Sequence, residues 1–414
     1  MKKMMFLFLL AGFFSCKNEP KIAKNKIEQD VAFLASDKLE GRQTGTNGEK
    51  QASDYIVERF KTIGLKPMGT EGYIQSFSFK PKTDPHKEVE FTTNADSTIT
   101  GRNVIGYIDN SAERIIVIGA HYDHLGFGGE GSLYSEKEKA IHNGADDNAS
   151  GVAVMLHLAD RLRVKNETAE IKDNNNYLFM AFSGEEMGLL GSNYFSKNPT
   201  IDAKSINYMI NMDMVGRMKA DSTLAVYGTG TSPMFKQTLK ANNDKFKLIE
   251  NESGVGPSDH TSFYLIDTPV LHFFTGQHED YHKPSDDSEK LNYDGMNLIS
   301  NYIFQIINDL DDNGELAFRK TKNESEQTPR FKVGLGVVPD YLYDGKGMRI
   351  DGTREDTPAF AAGLQKGDVV IKLGDSTVTD MMSYMRALSV FEKGNTAKIM
   401  VKRGEKVIDT TVKF

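Results

Sequence analysis

The fold is decided by one stretch of this chain, Ile115 to Gly126, which has the sequence IIVIGAHYDHLG. It joins an apolar run to a short segment with two histidines and an aspartate. The apolar run is typical of a strand buried on both faces, which favours a parallel sheet. Polar side chains just after such a strand predict a binding site, because ligands of open α/β sheets lie beyond the carboxyl ends of the strands.

Similar apolar runs recur on both sides of this stretch and alternate with helical patterns, one of which opens at Ser150. This alternation predicts the α/β class, with a mixed, largely parallel central sheet flanked by helices. The further runs are Tyr177–Phe182, Ile206–Ile210, Leu224–Tyr227 and Val270–Phe274.

Polar segments follow most of these runs, and one more precedes the helix at Ser150. Each segment alone is more often a solvated surface, but five in order, each at a strand end or a helix mouth, favour one shared site. Two histidines with several carboxylates and no thiolate suit Zn²⁺. The candidate side chains outside the first stretch are Asp146 and Asp147 in GADDNASG, Glu185 and Glu186 in SGEEMG, Asp213 in NMDMVG and His282 in EDYHKPSDD.

These segments together resemble the co-catalytic zinc exopeptidases typified by bacterial leucyl aminopeptidases, over about Lys24 to Leu310. The resemblance implies the fold of that family and two Zn²⁺ per chain. In it one carboxylate bridges the metals, a bridging water is the nucleophile, and Glu185 is the general base, while Asp123 holds the ring of a histidine ligand. The implied ligands are His121 and Asp213 at one zinc, Glu186 and His282 at the other, and Asp147 between them.

Three assignments rest on weaker matches to the same family. In relatives the bridging aspartate stands four positions before the glycine that opens the helix, which selects Asp147 over Asp146. Asp259 is expected to orient His282. Tyr281 and the loop Phe127 to Lys139 are expected to line the substrate pocket.

The C-terminal part of the chain reads as a separate module. The apolar periodicity stops near Leu310, and the polar stretch 311–330 predicts a linker. Residues 331–414 resemble a PDZ domain of the bacterial, protease-associated type, through GLGV (Gly334–Val337) and AAGL followed by GD (Ala361–Asp368). The resemblance implies a small β-rich domain whose groove takes peptide C-termini. A structural cap with an unused groove is the alternative.

The N-terminus resembles a bacterial lipoprotein signal over residues 1–16. Two lysines precede the apolar run Met4 to Phe14, which is too short to span a bilayer, and Cys16 is the only cysteine of the chain. Residues 17–26 are expected to be a tether. The implied location is the bacterial cell envelope, lipid-anchored and facing the periplasm or the exterior, with no other membrane contact. An ordinary secretory signal is the alternative.

The predicted function is release of N-terminal residues from peptides by a metal-dependent exopeptidase in residues 27–310. A formal net charge of −8 argues against nucleic acid as a partner. Carboxypeptidase or dipeptidase action of the same family remains open. Glutaminyl cyclisation needs only one zinc, so His121, a ligand for a second metal, counts against it. A non-catalytic binding protein is the last alternative, although all five ligands and Glu185 are present.

Overall fold

The computed structural model describes residues 25–414 except 82–88, 93–97, 130, 135–137, 169–172, 322–332, 341–342, 344 and 355. The predicted signal peptide, including Cys16, and all but the last two residues of the tether lie outside the described residues. Among the described residues, no helix combines the length and the apolar character needed to cross a bilayer.

A mixed sheet of nine strands forms the centre of the first domain within the described part of the chain. Its strand order is β1-β3-β5-β4-β6-β9-β7-β8, and β2 pairs with β3 outside this path. The strands β5, β4, β6 and β9 are mutually parallel, as are β7 and β8, whereas β3 is antiparallel to β5 and β7 is antiparallel to β9. The strands are β1 (Lys66–Pro67), β2 (Ile74–Phe79), β3 (Ile99–Ile108), β4 (Arg114–His121), β5 (Asn175–Phe182), β6 (Ile206–Met212), β7 (Thr223–Tyr227), β8 (Lys247–Asn251) and β9 (Val270–Phe274).

Helices cover both faces of this sheet. In β4, Ile116 and Ile118 belong to the core cluster on one face, while Ile115 and Val117 belong to the cluster on the other. This burial on both faces explains why the central strands read as continuous apolar runs rather than as alternating patterns. The helices are α1 (Asn25–Leu34), α2 (Asn47–Ile63), α3 (Gly151–Thr168), α4 (Leu190–Lys197), α5 (Phe235–Ala241), α6 (His260–Tyr264) and α7 (Tyr293–Leu310).

The second domain has its own antiparallel sheet and its own hydrophobic core. The sheet order is β10-β11-β12-β14-β15, with β13 paired to β12, so β10 is an edge strand. The elements are β10 (Val337–Pro339), β11 (Met348–Thr353), α8 (Pro358–Ala361), β12 (Val369–Leu373), β13 (Ser376–Thr377), α9 (Met381–Ser389), β14 (Thr396–Arg403) and β15 (Lys406–Lys413). The predicted class, a largely parallel α/β sheet followed by a small β-rich domain, is confirmed.

The chain that follows α7 stays in contact with the first domain, although the sequence predicts a linker from residue 311. Asn207 donates its amide to the carbonyl of Gly314 (2.8 Å) and accepts the backbone N–H of Leu316 (2.8 Å). The backbone N–H of Arg319 donates to Thr231 (2.7 Å). Residues 311–321 therefore pack against the first domain, and 322–330 of the predicted linker lie outside the described residues.

Candidate active site

The predicted metal ligands converge at the carboxyl ends of the parallel strands. His121 is the last residue of β4, Glu186 follows β5, and Asp213 follows β6. Asp147 lies in the turn Ala145–Ser150 that leads into α3. His282 comes from the loop after β9, so five separate segments of the chain meet at one edge of the sheet, as the sequence predicts.

Asp147 lies between the two halves of this cluster. Its Oδ1 is 3.3 Å from Nε2 of His121, and its Oδ2 is 3.1 Å from Nε2 of His282. On one side, Nε2 of His121 is also 3.3 Å from Oδ1 of Asp213. On the other side, Nε2 of His282 is 3.3 Å from Oε2 of Glu186. One carboxylate thus contacts both histidines, one oxygen to each.

The neighbouring Asp146 faces away from this cluster. Its Oδ1 accepts the backbone N–H of Gly216 (2.6 Å), and its Oδ2 lies 3.1 Å from Nε2 of His278. Below it, Oδ2 of Asp286 accepts the backbone N–H groups of both Asp146 (3.0 Å) and Asp147 (3.1 Å), which fixes the turn. The structure therefore places Asp147, rather than Asp146, among the candidate ligands.

The two halves of the cluster fit divalent metals. The ligand atoms of His121, Asp147 and Asp213 all lie within 4.8 Å of one another. Those of His124, Asp147 and Glu186 form a second such group. Imidazole nitrogens and carboxylate oxygens without thiolates are the donor set of catalytic Zn²⁺ sites. Although burial opposes it, contact with His121 and His282 holds the pKa of Asp147 well below its usual range. The site thus favours positive charge at both of its halves.

His124 is a member of the second group that the sequence prediction left without a role. Its ring is fully enclosed, and its Nδ1 lies 2.8 Å from Oε1 of Glu186 but 4.0 Å from Oδ2 of Asp147. His282 approaches both carboxylates more evenly, at 3.1 and 3.3 Å. We therefore keep His282 as the candidate ligand and assign His124 as the hydrogen-bond partner that orients Glu186. Its position within HYDHLG was the only signal in the sequence.

The orientation of His121 depends on Asp123 mainly through the backbone. Nδ1 of His121 is 3.3 Å from the Asp123 carbonyl oxygen and 3.7 Å from the carboxylate Oδ1. The carboxylate accepts the hydroxyl of Thr44 (3.0 Å) and the backbone N–H of Glu185 (3.1 Å). Asp123 therefore connects the His121 segment to the Glu185 segment.

Asp259 does not orient His282, contrary to the expectation from sequence. Nδ1 of His282 lies 2.8 Å from the backbone carbonyl of Gly131, which takes the place that was predicted for a carboxylate. Asp259 is fully buried at the start of α6, where burial raises the pKa of its carboxyl to about 7. The charges that act on its pKa belong to the other half of the site, where His121 lowers the pKa and Asp123 and Asp213 raise it.

Glu185 is placed for a different role from Glu186. No described residue forms a hydrogen bond with its carboxylate, while its neighbour Glu186 contacts two histidines. Burial raises the pKa of Glu185 well above its usual range, His121 lowers it, and Glu186 and Asp213 raise it further. A carboxylate with a raised pKa and no fixed partner suits proton transfer.

The loop that carries His282 has a strained backbone conformation at this residue. His282 has a φ of 55°, in the left-handed region that is unfavourable for residues other than glycine. Asp280 anchors the loop by accepting hydrogen bonds from Lys290 (2.7 Å), Ser285 (2.7 Å) and Arg217 (3.1 Å). Although partial burial opposes it, these bonds lower the pKa of Asp280 to about 2.

A buried arginine, to which the sequence assigns no role, hydrogen-bonds to the backbone of the segments that carry the candidate ligands. Arg42 ends the short turn LEGR (Leu39–Arg42) and donates to the carbonyls of Leu34 (2.6 Å), Tyr122 (2.7 Å), Gly144 (3.0 Å) and Asn143. It thereby joins the end of α1, the exit of β4 and the turn that precedes Asp147. The adjacent Gly41 has a φ of 71°, and a Cβ there would lie 2.5 Å from the carbonyl oxygen of Gly126, so only glycine fits.

A cavity of about 240 Å³ opens onto the cluster. Its walls include Asp213 and His282 together with Met214, Phe274 and Tyr281. From the loop predicted to line the pocket, Gly131 and Leu133 contribute, whereas residues 130 and 135–137 lie outside the described residues. The cavity combines an apolar wall with the candidate metal ligands at one end.

Two family models match this chain. The first is peptidase family M28, over residues 103–307, and the second is the PDZ domain, over residues 320–414. A probable leucine aminopeptidase from Trichophyton verrucosum is 31% identical over 171 residues, which are 39% of this chain and 42% of that protein. The chain therefore spans less than half the length of this curated relative.

Solved structures share the fold at low sequence identity. A zinc aminopeptidase from Bacillus subtilis aligns with a TM-score of 0.54 and 16% identity, covering 72% of this chain and 99% of that one. A glutaminyl cyclase from Porphyromonas gingivalis aligns with a TM-score of 0.53 and 18% identity, covering 69% and 98%. The fold is common to both kinds of protein, so the fold alone does not decide between them.

Proposed function

The chain belongs to peptidase family M28 and carries a C-terminal PDZ domain, and from this premise we propose that it is a zinc-dependent aminopeptidase with two metal ions per chain. The observation that carries the proposal is the position of Asp147, whose two oxygens contact His121 and His282 separately. A single-metal site would need only one of these two halves. We propose His121 and Asp213 as ligands on one side, and Glu186 and His282 on the other.

The chain's own residues would supply positioning and proton transfer. Zinc held by these ligands supplies a Lewis acid and lowers the pKa of a bound water towards neutrality. Glu185 would accept the proton of the attacking water and deliver it to the leaving amine. Asp123 would keep this base in place, because it accepts the backbone N–H of Glu185 (3.1 Å). The apolar wall of the cavity would hold the side chain of the N-terminal residue.

Purified protein loaded with zinc tests this proposal on three peptides. The first has a free N-terminal amine, the second is acetylated at that amine, and the third has an N-terminal glutamine. We expect hydrolysis of the first and third and no reaction of the acetylated peptide. Release of C-terminal residues from the acetylated peptide would indicate a carboxypeptidase instead. Conversion of the third to a pyroglutamyl peptide, without hydrolysis of the first, would indicate a cyclase.

The cellular location is a further part of the proposal. We propose that Cys16 becomes the lipidated N-terminus and that the enzyme acts at the bacterial cell envelope. The support is the sequence alone, in which Cys16 follows the apolar run after Ser15 and is the only cysteine.

A further inference from the structure

The cavity at the candidate metal ligands is bounded by both domains. Asp213 and His282 form one part of its wall, and Val337, Val338 and Arg354 of the second domain form another. A substrate bound at the ligands would therefore touch the PDZ domain as well as the peptidase domain. The cavity has a volume of about 240 Å³, which is enough to hold a short peptide between the two walls.

Arg354 gives the far wall of this cavity its charge. Among the described residues that line the cavity, it is the only one with a permanent positive charge. Its side chain is exposed, and no described carboxylate pairs with its guanidinium. By contrast, Arg349 and Arg403 of the same domain are paired with Asp340 and Asp368.

The backbone around Arg354 connects it to the edge of the second sheet. Its N–H donates to the carbonyl of Gly336 (2.9 Å), directly before the edge strand β10. An edge strand has unpaired backbone groups along one side, which can bind an extended peptide. The edge strand β10 and the adjacent Arg354 are thus placed to bind the backbone of a peptide and its terminal carboxylate, respectively.

We infer that Arg354 binds the α-carboxylate of short peptides whose N-terminal residue lies at the metal ligands. The inference rests on the proposed aminopeptidase function and names its substrate class, which is di- and tripeptides with a free C-terminus. A guanidinium is suited to this task because its planar fork matches a carboxylate with two parallel hydrogen bonds. A peptide that places its N-terminal residue at the candidate ligands and its carboxylate at Arg354 must fit between these two walls of one cavity, so short peptides with an unblocked C-terminus would be selected.

Three substrates and two variants test the inference in the full-length, zinc-loaded protein. The substrates are leucylleucine, its C-terminal amide and leucine p-nitroanilide. Arg354→Gln should lower kcat/KM for leucylleucine by about 10- to 100-fold, the size expected when a hydrogen-bonded charge is lost, and mainly through KM. The amide and the anilide should change by less than about twofold, since the contact is absent for them. The matched control is Arg386→Gln, an exposed arginine of α9 that does not line the cavity, and it should change none of the three.

The alternatives give different results. Equal losses on all three substrates with Arg354→Gln would overturn the inference, since they would indicate a structural effect. A wild-type protein that cleaves all three without preferring the free acid would overturn the inference but leave the proposed function intact. Hydrolysis of none of the three would overturn the proposed function.

A binding measurement separates the inference from turnover. Calorimetry on the Glu185→Gln protein should give an affinity for leucylleucine about tenfold or more above that for its amide, and adding Arg354→Gln should remove the difference. Equal affinities without the second substitution would overturn the inference, whatever the activity.

Discussion

The adjacent residues Glu185 and Glu186 offer the sharpest test of the proposed mechanism, because replacing each with glutamine changes the same number of atoms. Glu186 contacts His124 at 2.8 Å and His282 at 3.3 Å. Glu185 has no hydrogen bond from its carboxylate to any described residue. Glu186→Gln should therefore act on metal binding, and Glu185→Gln on proton transfer.

The expected magnitudes differ in kind. Glu185→Gln should keep both metals and lose about 10²- to 10⁴-fold in kcat, which is the usual contribution of a positioned general base. This loss corresponds to about 3–5 kcal/mol of transition-state stabilisation. Glu186→Gln should lower the affinity for one metal by more than about 100-fold. Even the loss of a residue that only hydrogen-bonds to a metal ligand lowers metal affinity by about 10- to 100-fold.

Metal content and turnover are measured on the same samples. After dialysis against a fixed concentration of free zinc, inductively coupled plasma mass spectrometry gives the number of metal ions per chain. The rate of hydrolysis of leucine p-nitroanilide gives kcat. We expect two metals and little activity for Glu185→Gln, and fewer than two metals for Glu186→Gln. Metal loss in Glu185→Gln together with full occupancy in Glu186→Gln would refute the assignment of roles within SGEEMG.

Three further predictions concern other parts of the chain. His124→Ala should weaken binding of the zinc held by Glu186 and His282 by about 10- to 100-fold in a chelator competition, and an unchanged affinity would contradict its orienting role. Burial lowers the pKa of His157, which contacts Ser300 at 3.0 Å, to about 4. A histidine whose pKa is lowered on folding contributes stability that is fully present above about pH 6.5 and is lost as pH falls towards 4. His157 should therefore account for about 2 kcal/mol of the fall in the free energy of unfolding between pH 7 and 5, and this fall should be smaller by about that amount in His157→Gln. Mass spectrometry of protein purified from bacterial membranes should find a diacylglycerol on Cys16, and a mature form that begins elsewhere would contradict the anchor.

The parts of the site that the sequence predicts are those with a regular signal. Buried strands of a parallel sheet appear as apolar runs, and their carboxyl ends must meet at one edge, so the convergence of His121, Glu186 and Asp213 follows from their position after such runs. Asp147 required more than this, because Asp146 beside it has the same chemistry. Only the turn held by Asp286 decides which of the two carboxylates faces the histidines.

The errors concern contacts made by the backbone. The partner of the His282 ring is the carbonyl of Gly131, and every residue carries a carbonyl, so no residue type reveals it. The sequence favours Asp259 instead, because a carboxylate is a partner that residue types can indicate. The sequence predicts a linker after α7 for a similar reason. Asn207 holds this segment through the backbone groups of Gly314 and Leu316, and such contacts leave no apolar periodicity in the sequence.

The position of the PDZ domain is the feature least accessible to sequence, and it bears most on specificity. Each domain buries its own core, so the apolar patterns that define the two domains contain no information about which surfaces meet. The run DGTREDT around Arg354 reads as an ordinary polar loop. Only in the folded chain does this arginine share a cavity with His282. A peptidase site that resembles those of its family can thus differ in substrate length and terminal charge through one residue of another domain, which is a form of specificity that a match to either domain alone would not reveal.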